Sequence, residues 1–417
     1  MKKLFSCCLL ILLIAMVWLA KLNEVDYLLV RYWTLFAGHQ SVHAFFEKSQ
    51  MTQTDSYQFL LNYIPQYTFS ENAVTSPHSQ PPLASLGKII HVNDMEQLRT
   101  AIEQANDSDI IKIAKGEYQL SRNKLRLTKH HNTPTTIMAE RLGDVKLNSS
   151  LIEAILVTGS GWRLNNLVIE GQCQIDSQCE HAVHIVGAAD NSHLVNNKFV
   201  NFNAHIKVNG LSGAFPNQGK IAHNMLINQW VRKTPNPVTP VDIVGGNNWQ
   251  VRHNFIADFA KSQGNQTSYA AFLKGGGQYG AFSDNIVICS WKVPPTTFAE
   301  KRLGLSFGGG GTGKSVCQND CRFEHSNGLI EHNLIMNCGQ EHAIYINNSH
   351  SIQIKNNLLL SSFGIQINDS SDKIEIVNNF YQGGIYASSQ QTQINNSKLD
   401  YQDTSINNLI NRFIEEM

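Results

Sequence analysis

Apolar and polar residues alternate with a period of two in short runs along most of the chain after residue 88. One phrase recurs there: alternating residues, an asparagine, then two or three apolar residues. The shared asparagines are Asn166, Asn197, Asn224, Asn254, Asn285, Asn333, Asn357 and Asn379. The steps between them run from 22 to 48 residues, which is typical of a solenoid with one long insertion. Asparagine tolerates the left-handed backbone of a sharp corner, and stacked amides can bond along the axis, so we interpret these residues as structural.

A second short alternating strand precedes each of these phrases, and its outward residues can be stacked into columns. The middle outward residues are His184, Lys207, Asp242, Phe272, Ser306, Tyr345, Gln366 and Tyr386. The next outward column includes Asn209, Lys274, Gly308, Asn347 and Asn368. Coils stacked ~4.8 Å apart give eight strands a face of roughly 35–40 Å. A polar and aromatic face of this length suits an extended chain such as a polysaccharide.

These patterns predict an all-β fold, a right-handed single-stranded parallel β-helix over residues 88–400. The handedness follows the usual rule for parallel crossovers. Asn93 to Glu96 resemble a capping signal, and apolar residues at helical spacing follow, so a capping helix is expected over 94–105. Residues 401–417 are expected to cap the other end. Residues 22–87 form an aromatic-rich membrane-proximal region that ends in a Ser/Pro linker.

The N-terminus carries a membrane-targeting pattern. Lys2 and Lys3 precede an uncharged apolar run over residues 4–20. At ~1.5 Å per residue this run spans ~26 Å as a helix, close to the hydrocarbon thickness of a bilayer. No clear cleavage site follows, so an uncleaved anchor over residues 1–21 is expected, with the remainder outside the cytoplasm. The alternative is a cleaved signal peptide and a secreted protein.

Cysteine usage agrees with that compartment. Two of the eight cysteines lie in the apolar run, and six remain, an even number that indicates disulfides outside the cytoplasm. Cys173–Cys179 and Cys317–Cys321 are close enough to form small loops, and Cys289 could pair with Cys338 at the ends of neighbouring repeats. A zinc site is the alternative, but the spacings are not those of CxxC pairs.

Charge and context exclude some classes of partner. Lys and Arg number 33 and Asp and Glu number 33, and this zero net charge argues against a nucleic-acid-binding protein. Residues 308–315 read GGGGTGKS, which satisfies the P-loop pattern. A P-loop needs a helix that starts at its Lys, whereas a probable disulfide loop follows here. The segment is also expected outside the membrane, so nucleotide binding is rejected.

The start of the repeat region carries a family resemblance. It reads VNDMEQLRTAIEQANDSDIIKIAKGEYQL, then TTIMAERLGDVKLNSS, then LVTGSGWRLNNLVIEG. This order resembles chondroitinase B and the related alginate lyases, over roughly residues 88–390. The resemblance implies a lysine base, matched by Lys274, and a calcium ion. Ser268 and Tyr269 stand where the family has acidic calcium ligands, and Gly308 stands at the position of its arginine; Arg302 is the candidate substitute. No other metal ligand is assigned.

Proton abstraction at C5 of a uronate needs a base and a cation that neutralises the carboxylate. The candidate catalytic residues are therefore Lys274, Arg302 and Tyr345, with Tyr345 protonating the leaving oxygen. Candidate substrate-binding residues on the outward columns are His184, Lys207, Asp242, Gln366 and Tyr386. The predicted function is a lyase-like activity on an acidic polysaccharide. The alternatives are a uronate C5-epimerase, which uses the same proton abstraction, and a non-catalytic glycan-binding protein. The long insertion, residues 290–327, is expected to form a wall beside Lys274.

Overall fold

The computed structural model describes residues 87–368, 370–387 and 392–399, together with residues 409, 410 and 413. The predicted anchor, the aromatic-rich region before residue 87 and most of the predicted C-terminal cap lie outside these residues. None of the helices within the described ranges combines the length and apolar character that crossing a bilayer requires.

The described strands form three parallel sheets, to which successive stretches of chain contribute in turn. Sheet A contains β1 Ile89–Val92, β2 Ile110–Ile113, β5 Thr135–Met138, β8 Trp162–Asn165, β11 His193–Val195, β14 Lys220–Ala222, β17 Gln250–Arg252, β20 Gly277–Gln278, β21 Ala281–Ser283, β24 His325–Ser326, β25 Leu329–Glu331, β28 Ser349–Lys355, β31 Asp372–Val377 and β34 Thr392–Ile394. Sheet B contains β3 Gly116–Leu120, β6 Val145–Ser149, β9 Leu167–Gly171, β12 Lys198–Val200, β15 Met225–Ile227, β18 Phe255–Ala257, β22 Ile286–Ile288, β26 Leu334–Cys338, β29 Leu358–Ser362, β32 Phe380–Tyr381 and β35 Ser397–Lys398. Sheet C contains β4 Leu125–Leu127, β7 Glu153–Val157, β10 His181–Val186, β13 Ala204–Asn209, β16 Val241–Val244, β19 Thr267–Lys274, β23 Lys301–Phe307, β27 Ile344–Ile346, β30 Gly364–Ile367 and β33 Gly384–Tyr386.

The core lies inside the coil formed by the three sheets. On sheet C, one inward column runs in register through Ile185, Val208, Ile243, Leu273 and Phe307, all of which are buried. Side chains of a strand alternate between faces, so the neighbouring residues of each strand face outward. This arrangement confirms the predicted parallel β-helix architecture; its right-handed sense stays a prediction.

One α-helix, α1 (Met95–Gln104), covers the first coil as predicted. Asp94 is its N-cap, and the Asp94 carboxylate accepts a hydrogen bond from the Gln97 amide at 2.8 Å. Leu98, Ala101 and Ile102 form its buried face. The apolar end of the coil is therefore closed by a helix whose own free N–H groups are partly satisfied by the cap.

A buried asparagine ladder runs parallel to the coil axis. Each side chain amide donates to the Oδ1 of the next asparagine at 2.9–3.1 Å, through Asn197, Asn224, Asn254, Asn285, Asn333, Asn357, Asn379 and Asn396. The sequence predicted Asn166 as the first asparagine of this ladder, and that prediction was wrong. In the structure Leu167, not Asn166, precedes Asn197, and the Leu167 amide donates to Asn197 Oδ1 at 3.0 Å. The ladder therefore begins one coil later, and it continues to Asn396.

The residue with a left-handed backbone lies one position before each ladder asparagine, and Asn166 has the same position before Leu167. The ladder asparagines are therefore not the corner residues that the sequence had predicted. Positive φ angles of 52–61° occur at Asn166, Asn196, His223, His253, Asp284, His332, Asn356, Asn378 and Asn395. The sharp turn and the hydrogen-bonding amide are thus divided between two adjacent residues. The first bends the chain, and the second enters the interior and bonds along the axis.

Three disulfides are present in the pairs that the sequence predicts, Cys173–Cys179, Cys289–Cys338 and Cys317–Cys321. Cys289 follows β22 directly and Cys338 ends β26, which are neighbouring strands of sheet B. That bond joins the two coils between which the long insertion leaves and re-enters the helix.

Candidate functional site

The predicted middle column of sheet C exists, and we call it the central column. Each member pairs with the next in register, in the order His184, Lys207, Asp242, Phe272, Ser306, Tyr345, Gln366 and Tyr386. Seven steps of ~4.8 Å give the column a length of roughly 34 Å. The alternation of the strands therefore brings the sequence-predicted residues of eight coils onto one face.

Charged residues concentrate near the middle of this column. Lys207 Nζ and Asp242 Oδ1 form an ion pair at 2.7 Å, and both side chains are largely buried. Lys274 lies in the neighbouring outward column, where its register partner is Val244. Burial lowers the pKa of Lys274, Asp242 and Glu324 oppose that shift, and Lys207 adds to it. Two lysines thus share the surroundings of one aspartate.

The side chain of Lys274 is held beneath residues 308–313, which we call the glycine loop. Its Nζ donates to Gly311 O at 2.8 Å and lies 4.7 Å from the ring centre of Phe272. A Cβ on Gly309 would contact both the Phe272 ring and the Lys274 stem. Phe272 is consequently only 5% exposed, although its column faces outward. The insertion therefore packs directly on Lys274, at the position where a wall was expected.

Glu324 fastens the glycine loop to the strand that carries Lys274, and it was missed as a site residue. Its carboxylate accepts from the Gly275 amide at 2.9 Å, the Thr312 amide at 2.6 Å and Thr312 Oγ1 at 2.7 Å. The residue is 4% exposed. Nothing local in the sequence signals this role, because its partners lie 49 and 12 residues away.

A second attachment comes from the small disulfide loop. The Gln318 amide donates to Gly275 O at 2.8 Å, and Gln318 Oε1 accepts from the Gly246 amide at 2.7 Å. Gly276 has a φ of +82°, and a Cβ there would lie 1.8 Å from Gln318 O. The glycines after Lys274 are therefore required by the close approach of this loop.

The P-loop pattern does not have P-loop structure. Lys314–Val316 forms only a three-residue 3-10 turn, and a second such turn, Asn319–Cys321, follows inside the disulfide loop. No α-helix begins at Lys314, so the stacked N–H groups that would face a phosphate are missing at this point of the described chain.

Arg302 does not belong to the site, which corrects its predicted catalytic role. It is 3% exposed and forms an ion pair with Glu300, while its guanidinium also donates to Cys289 O at 2.9 Å and Val293 O at 2.7 Å. Its register partner is Ser268, six residues before Lys274 on β19. At ~3.3 Å per residue, Arg302 lies ~20 Å along the sheet from Lys274. Its hydrogen bonds fix the start of the insertion instead.

The C-terminal half of the central column is held by local hydrogen bonds. Tyr345 Oη accepts from Asn368 Nδ2 at 2.9 Å, and Asn368 also donates to Asn347 Oδ1 at 3.0 Å. Gln366 Nε2 donates to Ile367 O at 3.3 Å. The Tyr386 ring packs edge-on against His342 at 5.6 Å. Tyr345, Gln366 and Tyr386 are half-buried, and they belong to the same outward column as Lys207.

The N-terminal end of the column is polar and charged. His184 Nδ1 lies 2.5 Å from Glu153 Oε1, and His184 Nε2 lies 2.7 Å from Asn209 Oδ1. The hydrogen bond with His184 is the main cause that lowers the pKa of Glu153 to about 2, and an ion pair with Lys124 adds to it. Beside Glu153 is an open depression whose lining includes Arg122, Lys124 and Arg126, which the sequence analysis did not single out.

A calcium ion does not fit the region around Lys274. Calcium takes six to eight oxygen ligands. Asp242 is paired with Lys207, Glu324 is saturated by three donors, and Ser268 is buried beside Arg302. The described residues around Lys274 thus offer cations and saturated acceptors rather than a set of open carboxylates.

No protein-family model matches the chain, and no curated protein matches it. Among solved structures, pectate lyase Pel9A is similar at 10% identity, with 76% of this chain and 78% of that chain covered and a TM-score of 0.43. An alginate lyase from Paenibacillus sp. gives 10% identity, 75% and 95% coverage and a TM-score of 0.43. The A-module of the Azotobacter vinelandii mannuronan C-5 epimerase AlgE4 is 10% identical, with 76% of this chain and 93% of that chain covered and a TM-score of 0.43.

Proposed function

We propose that this protein binds an acidic polysaccharide along sheet C and cleaves it by β-elimination, with Lys274 as the base. The observation that carries the proposal is a cluster of charged residues: Lys207 and Asp242 lie in the middle of the central column, and Lys274 lies beside them in the neighbouring outward column. An extended ligand needs an extended face with repeated polar and aromatic groups, and the central column supplies one. A partly buried lysine with a lowered pKa is a suitable base for carbon acids near neutral pH.

The charge of this face favours uronate carboxylates. Lys207 and Lys274 bring two positive charges to the middle of this face, beside Asp242 and the buried Glu324. At the first strands, Arg122 and Arg126 are exposed and line the depression beside Glu153. A polyanion that follows the coil axis would therefore meet cations at both places.

The proposed reaction assigns one task to each residue. The Lys274 amine takes the C5 proton of a uronate, and Lys207 offsets the charge that develops on the adjacent carboxylate. The electron pair of the C5–H bond forms the C4–C5 double bond, and the C4–O bond breaks. Tyr345, whose hydroxyl is oriented by Asn368, is the candidate donor of a proton to the leaving oxygen. Return of a proton to the opposite face of C5 would give epimerisation instead.

A second candidate, a non-catalytic glycan-binding protein, is favoured by two specific contacts. Lys274 Nζ is engaged by Gly311 O, and Arg302 is sequestered by Glu300. Catalysis requires that the glycine loop yield Lys274 to the substrate, whereas simple binding along the column does not.

The test uses the full chain with disulfides formed, incubated with alginate, pectate, chondroitin or dermatan sulfate. Ultraviolet absorbance reports the unsaturated uronate, and exchange of the C5 proton in deuterated water reports epimerisation. Activity that Lys274→Ala abolishes, while glycan binding persists, supports the proposal. Lys146→Ala is the matched control, because Lys146 is a half-buried strand lysine on sheet B, ion-paired with Glu170. Binding without either activity selects the second candidate, and an active Lys274→Ala variant refutes the base assignment.

We further propose that the protein is anchored outside the cytoplasm by residues 1–21. The support is the apolar run of the sequence together with three disulfides, which persist in oxidising compartments. Membrane fractionation and sequencing of the mature N-terminus test this. A protein that begins after residue 20 and is found in the medium would establish the secreted alternative.

A further inference from the structure

Three side chains with metal-binding atoms converge at the start of sheet C. Glu153 begins β7, His181 begins β10 and is its register partner, and His184 follows on β10. One ligand atom from each of them lies within 4.8 Å of the other two. The His181 and His184 ring centres are 4.9 Å apart. This is the one such group of three histidine, cysteine or acidic side chains found across the described part of the chain.

The hydrogen bonds around His184 demand a cation between His184 and Glu153. Asn209 Nδ2 donates to Gly210 O at 2.9 Å, which directs Asn209 Oδ1 toward His184 Nε2 at 2.7 Å. His184 Nε2 must therefore carry the hydrogen. His184 Nδ1 then faces the Glu153 carboxylate at 2.5 Å, where two lone pairs would repel each other. A metal ion between these two atoms would remove that repulsion.

His181 supplies the observation that favours a metal. Its Nδ1 is buried and has no hydrogen-bond partner within the structure. An unpartnered buried ring nitrogen is costly, and a metal ion satisfies it.

We propose that Glu153, His181 and His184 form a zinc site. Two imidazoles and one carboxylate are a ligand set that zinc binds with its fourth position left open, whereas calcium requires more oxygen ligands. Tetrahedral zinc ligands at ~2.05 Å lie roughly 3.4 Å apart. The ligand atoms of the three residues are at most 4.8 Å apart, so side-chain rotations must shorten each distance by about 1.4 Å at most. Asn209 is the outer group that fixes the tautomer of His184.

The site stands independently of the proposed lyase activity. His184 lies three strands before Lys274 along sheet C, about 14 Å along the axis. His184 is also the first member of the central column, so the proposed zinc site borders the outward face of sheet C.

The test is metal binding by the full chain in which Cys7 and Cys8 are replaced by serine, so that no free thiol competes. After treatment with a chelator, titration calorimetry with zinc chloride or calcium chloride measures stoichiometry and affinity. We expect one zinc ion per chain, release of about one proton, and nitrogen and oxygen ligands in the zinc X-ray absorption spectrum. His181→Ala should weaken zinc binding at least tenfold.

The control is His193→Ala, which removes another half-buried strand histidine, located on β11 and hydrogen-bonded to Arg163. It should leave zinc affinity unchanged. Circular dichroism checks that both variants fold, and Glu153→Gln provides a second probe if His181→Ala does not fold. Absence of stoichiometric zinc binding, or equal affinity of the parent and His181→Ala for zinc, would overturn the proposal.

Discussion

Replacement of Glu324 should release the glycine loop from Lys274. In Glu324→Ala, the buried amide of Gly275 and the half-buried amide of Thr312 lose their acceptor, together with the Thr312 hydroxyl. Leaving the buried Gly275 N–H unpaired costs about 1–3 kcal/mol, and the half-buried Thr312 contacts add about 1 kcal/mol. The loop can avoid part of this cost by opening to water, so local opening should take up most of it. An intermediate cost of about 3 kcal/mol corresponds to more than a hundredfold in the opening equilibrium.

The assay is hydrogen exchange of the peptide that covers residues 308–324, read by mass spectrometry. Glu324→Gln should increase exchange of the loop less than Glu324→Ala, because its remaining carbonyl oxygen can still accept from one of the two amides. The control is Glu331→Ala on β25, which removes a partly exposed carboxylate paired with Lys355 at 3.3 Å. We expect that control to change exchange of the loop by less than twofold. Unchanged exchange in Glu324→Ala would show that other contacts hold the loop and would refute this reasoning.

The same substitution has an electrostatic consequence for Lys274. The negative charge of Glu324 raises the pKa of Lys274 against the lowering by burial. Without Glu324 the pKa of Lys274 should fall further, so a larger fraction of the amine is neutral at a given pH. If Lys274 is the base, the acidic limb of the pH–rate profile therefore moves to lower pH in Glu324→Gln. A shift toward higher pH would contradict the assignment.

Three further predictions concern stability. Asn285→Ala removes a fully buried ladder member and should cost about 2–5 kcal/mol in urea unfolding, clearly more than Asn396→Ala at the end of the ladder; equal costs would contradict a continuous ladder. Burial lowers the pKa of His181 to about 4 and those of His205 and His325 to about 3, so the unfolded chain binds more protons below its ordinary histidine pKa of ~6.5. Stability should therefore fall as pH drops from ~6.5 through 4, and a flat Tm over this range would exclude this cause. Replacing both Cys289 and Cys338 by serine should lower the free energy of unfolding by about 4 kcal/mol, from the chain entropy of a 49-residue loop. This is about twice the loss expected when Cys317 and Cys321 are replaced in the same way. The reverse order of the two losses in thermal unfolding would refute that estimate.

The period-two pattern was sufficient to place the central column, because register in a parallel coil follows from which face is apolar. It was insufficient where two asparagines are adjacent. Asn166 looks like a ladder member by its letters, yet the coil length places Leu167 there. Arg302 was assigned from its distance in sequence to Gly308, and Glu300 holds it elsewhere.

Glu324 and Glu153 show what the pattern cannot supply. Glu324 meets Gly275 across 49 residues, through an insertion whose path has no repeat to fix it. Glu153 meets His184 across 31 residues, but the register partner of His184 on β7 is Leu156, so extending the central column back to β7 would not have found Glu153. In both cases the partner is set by the third dimension of the fold rather than by a local periodicity.

The asparagine ladder gives the molecule a direction. Each of the seven described hydrogen bonds of the ladder runs from the Nδ2 of one asparagine to the Oδ1 of the asparagine on the following coil. A designed copy of one coil could therefore be inserted between two ladder asparagines. It would meet the same Nδ2 donor on the preceding coil and the same Oδ1 acceptor on the following coil. The protein could be lengthened in ~4.8 Å increments while its internal chemistry stayed unchanged.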